Sequence, residues 1–462
     1  MRLFIILVFL AGCTPMRQPQ VCLPEKFTEG DYVGQCGGET TELATWWEQF
    51  QDNQLSELIV QAIGCNHDLR ITRERICEAR ANFGTEFSRL MPYVDAFASY
   101  ERLRNSDTLA ARPLFLGGTF IDVYQIGFDS IWEIDLFGKI TDRAHAAALD
   151  IMAQKELVRD VHVSVVSEVA KNYFILRNLQ DRIAITQRHI DIEEHLVAIT
   201  QDRFNAGFIS ELDLYTAKAT LEERYSDLYP LEMRFKQTVY SIAVLLGLNP
   251  ESLEHCFDEV RPIPCVTGKI PLGLPSELLC RRGDVRQAEY NLYAAGARVC
   301  AARKELFPTL SLEGMFEFAS GFFTKWFQGN SRQWTISPSL TLPLFHGGQI
   351  RSWIAAATSR QWQAALAYEQ SVLNALKEVE STLVAYFEEG ARVSSLQEEV
   401  ENYRNARDLA ETLYLGGKVD FLYLIQVERD LYNAEILLSI TKEDMMTSLV
   451  AVYKSLGGGW EC

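Results

Sequence analysis

The two halves of this 462-residue chain match each other at an offset of about 210 residues, and this internal repeat constrains the fold more than any other feature of the sequence. Asp68, Arg70, Ala79, Ala81 and Pro92 return as Asp284, Arg286, Ala295, Ala297 and Pro308. The segment Leu136-Phe137-Gly138-Lys139-Ile140 is answered by Leu344-Phe345-His346-Gly347-Gly348-Gln349-Ile350. Gly207, Leu212, Leu214, Leu221 and Gly247 return as Gly417, Leu422, Leu424, Leu431 and Gly457. Few identities persist, but their order is kept. Each half is therefore predicted to hold the same series: a helix, two strands, a very long helix, a tight turn and a second helix.

The strands alternate. Over 119–136 the even positions Phe120, Tyr124, Ile126, Phe128, Trp132, Ile134 and Leu136 are apolar, whereas the odd positions include Thr119, Gln125, Asp129, Glu133 and Asp135. In the second half Leu310, Leu312, Phe316 and Phe318 alternate with Thr309, Ser311, Glu313 and Glu317, and Trp334, Ile336, Leu340, Leu342 and Leu344 with Thr335, Ser337, Ser339 and Thr341. The strand at about 93–104 carries the pattern more weakly. Aromatic residues on one face and carboxylates on the other suit a lipid-facing barrel with a wet lumen, and each strand meets the ~10 residues that a tilted crossing takes. A soluble sandwich with one wet face would show the same alternation. In a membrane, four strands cannot close a barrel around a pore and open edges are not tolerated, so several copies of the chain would have to share one barrel. Phe322, Phe323, Trp326 and Phe327, between the last two strands, suit an interfacial girdle.

From about 140 to 205 and from 350 to 415 no proline interrupts a helical pattern. Val169, Leu176, Ile183, Ile190 and Val197 recur every seven residues, as do Val372, Val379, Tyr386, Val393 and Val400. A helix of ~65 residues reaches roughly 100 Å, which makes each a strut or a wall. Each ends at glycine, Gly207 or Gly416-Gly417, and a new helix starts at Ser210 or Asp420, so glycine is predicted as the left-handed stop and Ser or Asp as the next cap. These turns, Gly207-Phe208-Ile209-Ser210 and Gly417-Lys418-Val419-Asp420, are hairpin tips, and Phe208-Ile209 is an exposed apolar pair that would either dock a partner or staple the turn.

Residues 1–12 read as a secretion signal: Arg2, the apolar run Leu3 to Leu10, then small residues. Leu10-Ala11-Gly12-Cys13 resembles a bacterial lipobox, which would make Cys13 the acylated N-terminus of the mature chain, with Thr14 after it in place of an inner-membrane-retaining Asp. No later stretch reaches the ~18 uninterrupted apolar residues of a spanning helix. A net charge of −18, with no basic block, argues against nucleic acid as a partner. Of the ten cysteines, Cys256 and Cys265 flank a Pro-containing loop and form the expected disulfide; no Cys-x-x-Cys occurs. No His-Glu-x-x-His, phosphate-binding glycine loop or Gly-x-Ser-x-Gly is present, so neither an enzyme nor a cofactor or metal site is expected. Arg282-Gly283-Asp284 reads as a helix-capping segment.

Together with Trp46-Trp47-Glu48-Gln49-Phe50-Gln51-Asp52, Gly273-Leu274-Pro275-Ser276-Glu277-Leu278-Leu279, Arg286-Gln287-Ala288-Glu289, Ala294-Ala295-Gly296-Ala297-Arg298, Phe307-Pro308-Thr309 and Ser210-Glu211-Leu212-Asp213-Leu214, these features resemble the TolC-like outer membrane factors, in the lipoprotein subgroup typified by OprM and NodT. The resemblance covers nearly the whole chain. It implies a mainly α fold with a membrane β-barrel, in which two repeats of coiled-coil helices carry four strands per protomer and a homotrimer completes a twelve-stranded barrel. It implies an outer-membrane efflux conduit, lipid-anchored through Cys13, with a periplasmic helical tunnel to which an adaptor and an inner-membrane pump, RND type, would dock. A protein-secretion conduit and a non-conducting coiled-coil tether are the alternatives; a tether would need the helices but not the amphipathic strands. The resemblance also places the closed aperture just past the second tip, at Leu422, Gln426 and Arg429, whose spacing of four and three puts them on one helix face. Gln426 replaces the usual Asp, removing one negative charge per protomer and a partner for Arg429. That change predicts a looser or less cation-selective closed state unless Asp420 or a nearby acid substitutes. The expected organisation is a signal at 1–12, an anchored segment and part of an equatorial belt at 13–52, the first repeat at 53–247, an equatorial linker with five prolines at 248–275, the second repeat at 276–457 and a tail at 458–462.

Overall fold

A computed structural model describes residues 43–104, 120–264 and 279–460. The signal, Cys13, the stretch to residue 42 and Cys265 lie outside the described residues. The first half comprises α1 (Asn53–Cys65), α2 (His67–Ser88), β1 (Tyr93–Arg104), β2 (Phe120–Ile134), α3 (Lys139–Asn205) and α4 (Glu211–Leu245). The second comprises α5 (Gly283–Lys304), β3 (Thr309–Ser320), β4 (Arg332–Thr341), α6 (Gln349–Leu415) and α7 (Phe421–Ser455). The repeat is real, down to α3 and α6 having 67 residues each and α4 and α7 having 35 each. No helix among the described residues is long and apolar enough to cross a membrane.

The described chain divides into two compact units. One contains residues 75–155 and 287–369 and is built around the sheet. Its strands pair antiparallel in the order β1-β2-β3-β4, through registers such as Tyr93↔Ile131, Phe128↔Phe316 and Phe316↔Trp334. Every pair joins two even or two odd residues, so one face of the sheet is even-numbered throughout. The odd face holds Asp95, Glu101, Asp129, Glu133, Glu313 and Glu317, and the even face holds Phe120, Phe128, Phe316, Trp334, Ile336 and Leu340. Where the helices leave the sheet, ion pairs pin the junction: Lys139 to Glu133 (2.6 Å), Arg143 to Glu305 (2.6 Å) and Lys304 to Asp142 (2.7 Å).

The second unit, with described residues 43–74, 156–264, 279–286 and 370–460, holds the main hydrophobic core. The segment Trp46–Phe50 is a buried 3₁₀ turn: Trp46 stacks on Tyr453 at 4.9 Å and Phe50 lies 4.9 Å from Phe174. Asp52 then caps α1 by accepting from the Gln54 and Leu55 amides and from the Tyr173 hydroxyl, which explains the Trp-rich motif as core and cap. The linker after α4 packs against α3, where Gln180 donates to the Phe257 carbonyl (2.6 Å) and Arg177 to that of Glu259 (3.1 Å). There Gln54 also binds the Cys256 carbonyl, and Cys256 is an exposed free thiol, as are Cys65, Cys77 and Cys280, while Cys300 is disulfide-bonded. With Cys256 a free thiol, the expected Cys256–Cys265 bridge is not found at Cys256, and Cys265 lies outside the described residues.

The C-terminal ends of α3, α4, α6 and α7 close in the same way. The amides of Phe208, Leu248, Lys418 and Gly458 reach back five residues, those of Gly207, Gly247, Gly417 and Gly457 reach back three, and each of these glycines has φ between +69° and +78°. The repeat extends to chemistry: Asn66 caps α2 and donates to the Leu245 carbonyl (2.9 Å), while its counterpart Arg282 donates to the Ser455 carbonyl (3.0 Å). Arg282-Gly283-Asp284 thus caps the end of α7 through Arg282 as well as opening α5. An added Cβ on Gly247 would lie 2.6 Å from the Cys65 carbonyl oxygen, whereas one on Gly207 meets nothing within 4 Å. Gly207→Ala is expected to cost about 1–2 kcal/mol of left-handed strain. Gly247→Ala should lose about 1–3 kcal/mol more through overpacking, read as a lower urea midpoint at unchanged slope.

Candidate functional site at the helical tips and on α7

The first tip follows from its sequence. The Schellman closure at Gly207 ends α3, and Ser210 opens α4 with a capping box, accepting from the Asp213 amide (3.4 Å) while Asp213 accepts from the Ser210 amide (3.2 Å). Phe208 is 81% exposed, but Ile209 is half-buried, so the expected exposed pair is one residue. Exposed Leu212 and Tyr215 continue from Phe208 at spacings of four and three. At the second tip Asp420 caps α7 by accepting from the Tyr423 amide (3.2 Å), and Val419 packs into a core of Leu196, Ala217, Tyr414, Phe421 and Leu424. Arg203, near the end of α3, caps the end of α6 by donating to the carbonyls of Tyr414 (3.2 Å) and Leu415 (3.1 Å), with its guanidinium 4.4 Å from the Tyr414 ring. This clasp between the tips has no signal in the motifs.

Leu422, Gln426 and Arg429 are all exposed on α7, while Phe421, Leu424, Ile425, Val427 and Glu428 are buried, so the three share one outward face. Gln426 donates to Asp430 (2.8 Å), and Arg429 lies 3.8 Å from Glu223 of α4. Asp420 is occupied as a cap, so the carboxylates near this face are Asp430 and Glu223.

Behind that face lies an ionic network among α3, α4, α6 and α7, with Glu193, Glu428, Glu435, His189 and Arg224 buried and Arg188, Arg404 and Asp227 reaching solvent. His189 Nε2 is 3.1 Å from Glu435, which also accepts from Arg188 (2.7 Å) and Arg404 (2.6 Å). Arg407 Nε lies 3.1 Å from the Glu428 carboxylate as an ion pair. Arg224 bonds Glu193 (3.2 Å) and Asp227 (2.6 Å), with its guanidinium 4.0 Å from the Tyr432 ring. Burial alone would raise the Glu435 carboxyl, but the His189 hydrogen bond and the two arginines outweigh it and hold it at about 2. For Glu193 burial outweighs Arg224 and pushes the carboxyl up to about 7; Glu428 is raised by burial against Arg407 and His189. Among the described residues no group of His, Cys, Asp and Glu is arranged to hold a metal ion. The network is four-helix ionic packing.

The sequence pattern of the outer membrane efflux proteins matches residues 58–248 and 274–458, and these limits follow the two structural repeats and skip the linker between them. The chain belongs to the outer membrane efflux protein family. The solvent efflux pump outer membrane protein SrpC of Pseudomonas putida is 30% identical over 98% of this chain and 97% of its own. The cation efflux system protein CusC of Escherichia coli K12 is 26% identical over 99% and 98%. The solved outer-membrane channel OprN superposes with a TM-score of 0.89 at 30% identity, covering 97% of this chain and 99% of that one. This efflux protein therefore has the TolC-like fold and resides in the outer membrane.

Proposed function

We propose that three copies of the chain form one conduit, each giving four strands to a twelve-stranded barrel and its helices to a periplasmic tunnel. The observation that carries this reading is the sheet: among the described residues β1 and β4 end it with unpaired outer edges, and its two faces differ in kind, six carboxylates on one and a mainly apolar, aromatic-rich surface on the other. Such edges in lipid must be joined to further strands. In this reading Leu422, Gln426 and Arg429 line the constriction. The Phe208–Leu212–Tyr215 stripe, with Gly207, Ile209, Ser210 and the tip Gly417-Lys418-Val419-Asp420, offers the docking surface for a periplasmic adaptor and an RND-type inner-membrane pump. Cys13 carries acyl chains that anchor the conduit. Energy comes from the pump, and substrates are small molecules chosen there.

The test is single-channel conductance in a planar bilayer with oligomeric mass determined on the same preparation. A conducting trimer is expected, and a monomer by mass would overturn the reading. Gln426→Asp should place three further carboxylates at the constriction and raise the cation-to-anion permeability ratio by about two- to fivefold, read from reversal potentials in a salt gradient. An unchanged ratio would remove this face from the pore.

A further inference from the structure

The strand register separates the charges of the sheet as well as its apolar residues. The four strands hold seven carboxylates, and six face the odd side, leaving Asp122 alone on the even, aromatic side. Their three basic residues, Arg102, Arg104 and Arg332, are all even-numbered and all lie at the end of the sheet away from the junctions with α2, α3, α5 and α6. In a chain with 62 acidic and 44 basic residues, this is the reverse of the prevailing charge.

Aromatic rings hold these cations in place. The Arg102 and Arg104 guanidiniums lie 4.8 and 5.7 Å from the Phe120 ring, and Lys325, in the β3–β4 connection, lies 5.4 Å from that of Phe322. Arg332 is opposite Phe318 in the register and donates to the Gly329 carbonyl (3.2 Å). Asp122 neutralises part of Arg102 at 3.5 Å and accepts from the Tyr100 hydroxyl at 2.9 Å. Against that one acid stand four exposed cations. Beside them, Tyr100, Tyr124, Phe323, Trp326 and Phe327 form a chain of ring contacts at centroid separations of 4.9 to 5.8 Å. Toward the helices the same face continues as Phe128, Phe316, Trp334 and Ile336, each more than 40% exposed.

We propose that this rim is a binding site for the phosphorylated headgroup of an outer-leaflet glycolipid of the lipid A class, gripped by Arg102, Arg104, Arg332 and Lys325, with its acyl chains lying on the aromatic face below. Guanidinium forks match phosphate oxygens. The unbroken passage from cations to apolar surface fits a lipid rather than a free anion. The inference rests on the barrel reading, which makes the even face the lipid-facing one and the helix-distal end the outer one.

The test is native mass spectrometry of the full-length protein in non-ionic detergent, titrated with bis-phosphorylated lipid A, with its dephosphorylated counterpart and with inorganic pyrophosphate as competitor. The wild type should retain the phosphorylated lipid, and Arg102→Gln/Arg104→Gln/Arg332→Gln should retain it about tenfold or more weakly, with the dephosphorylated lipid bound weakly by both. Arg104→Gln alone, away from the Asp122 pair, should show a smaller loss of the same kind if the triple variant does not assemble. Equal retention by wild type and variants, or equal retention of the two lipids, would overturn the site and leave the arginines as snorkelling side chains. Full displacement by pyrophosphate at concentrations equal to the lipid would overturn the lipid assignment. The same spectra report oligomeric mass, so a trimer without phosphate discrimination sinks only this inference, whereas a monomer sinks the barrel reading.

Discussion

Glu435→Gln should destabilise the helical unit by about 1–3 kcal/mol, because buried His189 loses its charged acceptor while Arg188 and Arg404, 53% and 57% exposed, can turn to water. Glu435 is 5% exposed and is the only anion within 4 Å of Arg188 and of Arg404 among the described residues, while His189 shares it with Glu428. Gln keeps the volume and one acceptor oxygen but leaves two arginines from two helices without a counter-charge. Because α3, α6 and α7 converge on this one carboxylate, the loss should appear as a lower urea midpoint of the purified protein. A midpoint within about 0.5 kcal/mol of wild type, the range of an ordinary surface substitution, would show that water reaches the cluster and screens it.

Glu193 should behave in the opposite sense with pH. Its carboxyl is pushed up to about 7 in the folded chain, above the ordinary 4.5, so the folded state holds this proton more tightly than the unfolded one. Its contribution is therefore complete below about 4.5 and is lost as pH rises through 7. Glu435, held at about 2, contributes fully above 4.5 and loses its contribution as pH falls toward 2. Glu193→Gln, which imitates the protonated form, should thus flatten the stability profile between 4.5 and 7 and cost less than Glu435→Gln at neutral pH. The two carboxyls differ in number of partners: Glu193 meets one arginine that it shares with Asp227, and Glu435 meets two arginines and a histidine.

Periodicity made the long elements legible. The heptads of Val169, Leu176 and Ile190 and of Val372, Val379 and Val400 are buried, and the expected helices at 140–205 and 350–415 fall within a residue of Lys139–Asn205 and Gln349–Leu415. Ile183 and Val197 are only half-buried, as expected when a 3.6-residue helix drifts against a seven-residue repeat. The tips were legible because glycine and a short polar cap are local requirements. The ionic network was not, since Arg, Glu and His read as solvent-facing residues. The signal was present in phase: Glu428 and Glu435 follow Phe421 at intervals of seven, on the stripe that buries Leu424 and Leu431. Polar residues in phase with a core stripe are candidates for buried ion pairs. Cysteine pairing is not legible from spacing for a different reason, because a disulfide depends on three-dimensional approach that distance along the chain does not encode. The Trp46–Phe50 core turn was missed as well, because a short segment between loops carries no periodicity of its own.

Gly127→Val should abolish assembly of the outer-membrane form, whereas Gly314→Val in the neighbouring strand should be tolerated. A Cβ on Gly127 would lie 2.3 Å from the Phe316 carbonyl oxygen and 2.5 Å from Glu317 Cβ, distances that require β2 and β3 to move apart. The glycine makes room for its register partner Glu317, which is 1% exposed and accepts from Gln333. In a soluble sheet such overpacking costs about 1–3 kcal/mol. In lipid the separated strands would also expose backbone groups that have no water to bond, each costing several kcal/mol. The nearest atom to a Cβ on Gly314 is Ser130 Cβ at 4.0 Å, an ordinary contact, and Gly314 lies on the even face, which the proposed barrel turns to lipid. Membrane fractions from cells expressing each variant should therefore contain oligomer at near wild-type levels for Gly314→Val and about a tenth or less for Gly127→Val, judged on unheated gels against total protein. Equal yields would mean that β2 and β3 do not pair in this register in the membrane, and with that the assignment of carboxylates to one face and arginines to the other would fall.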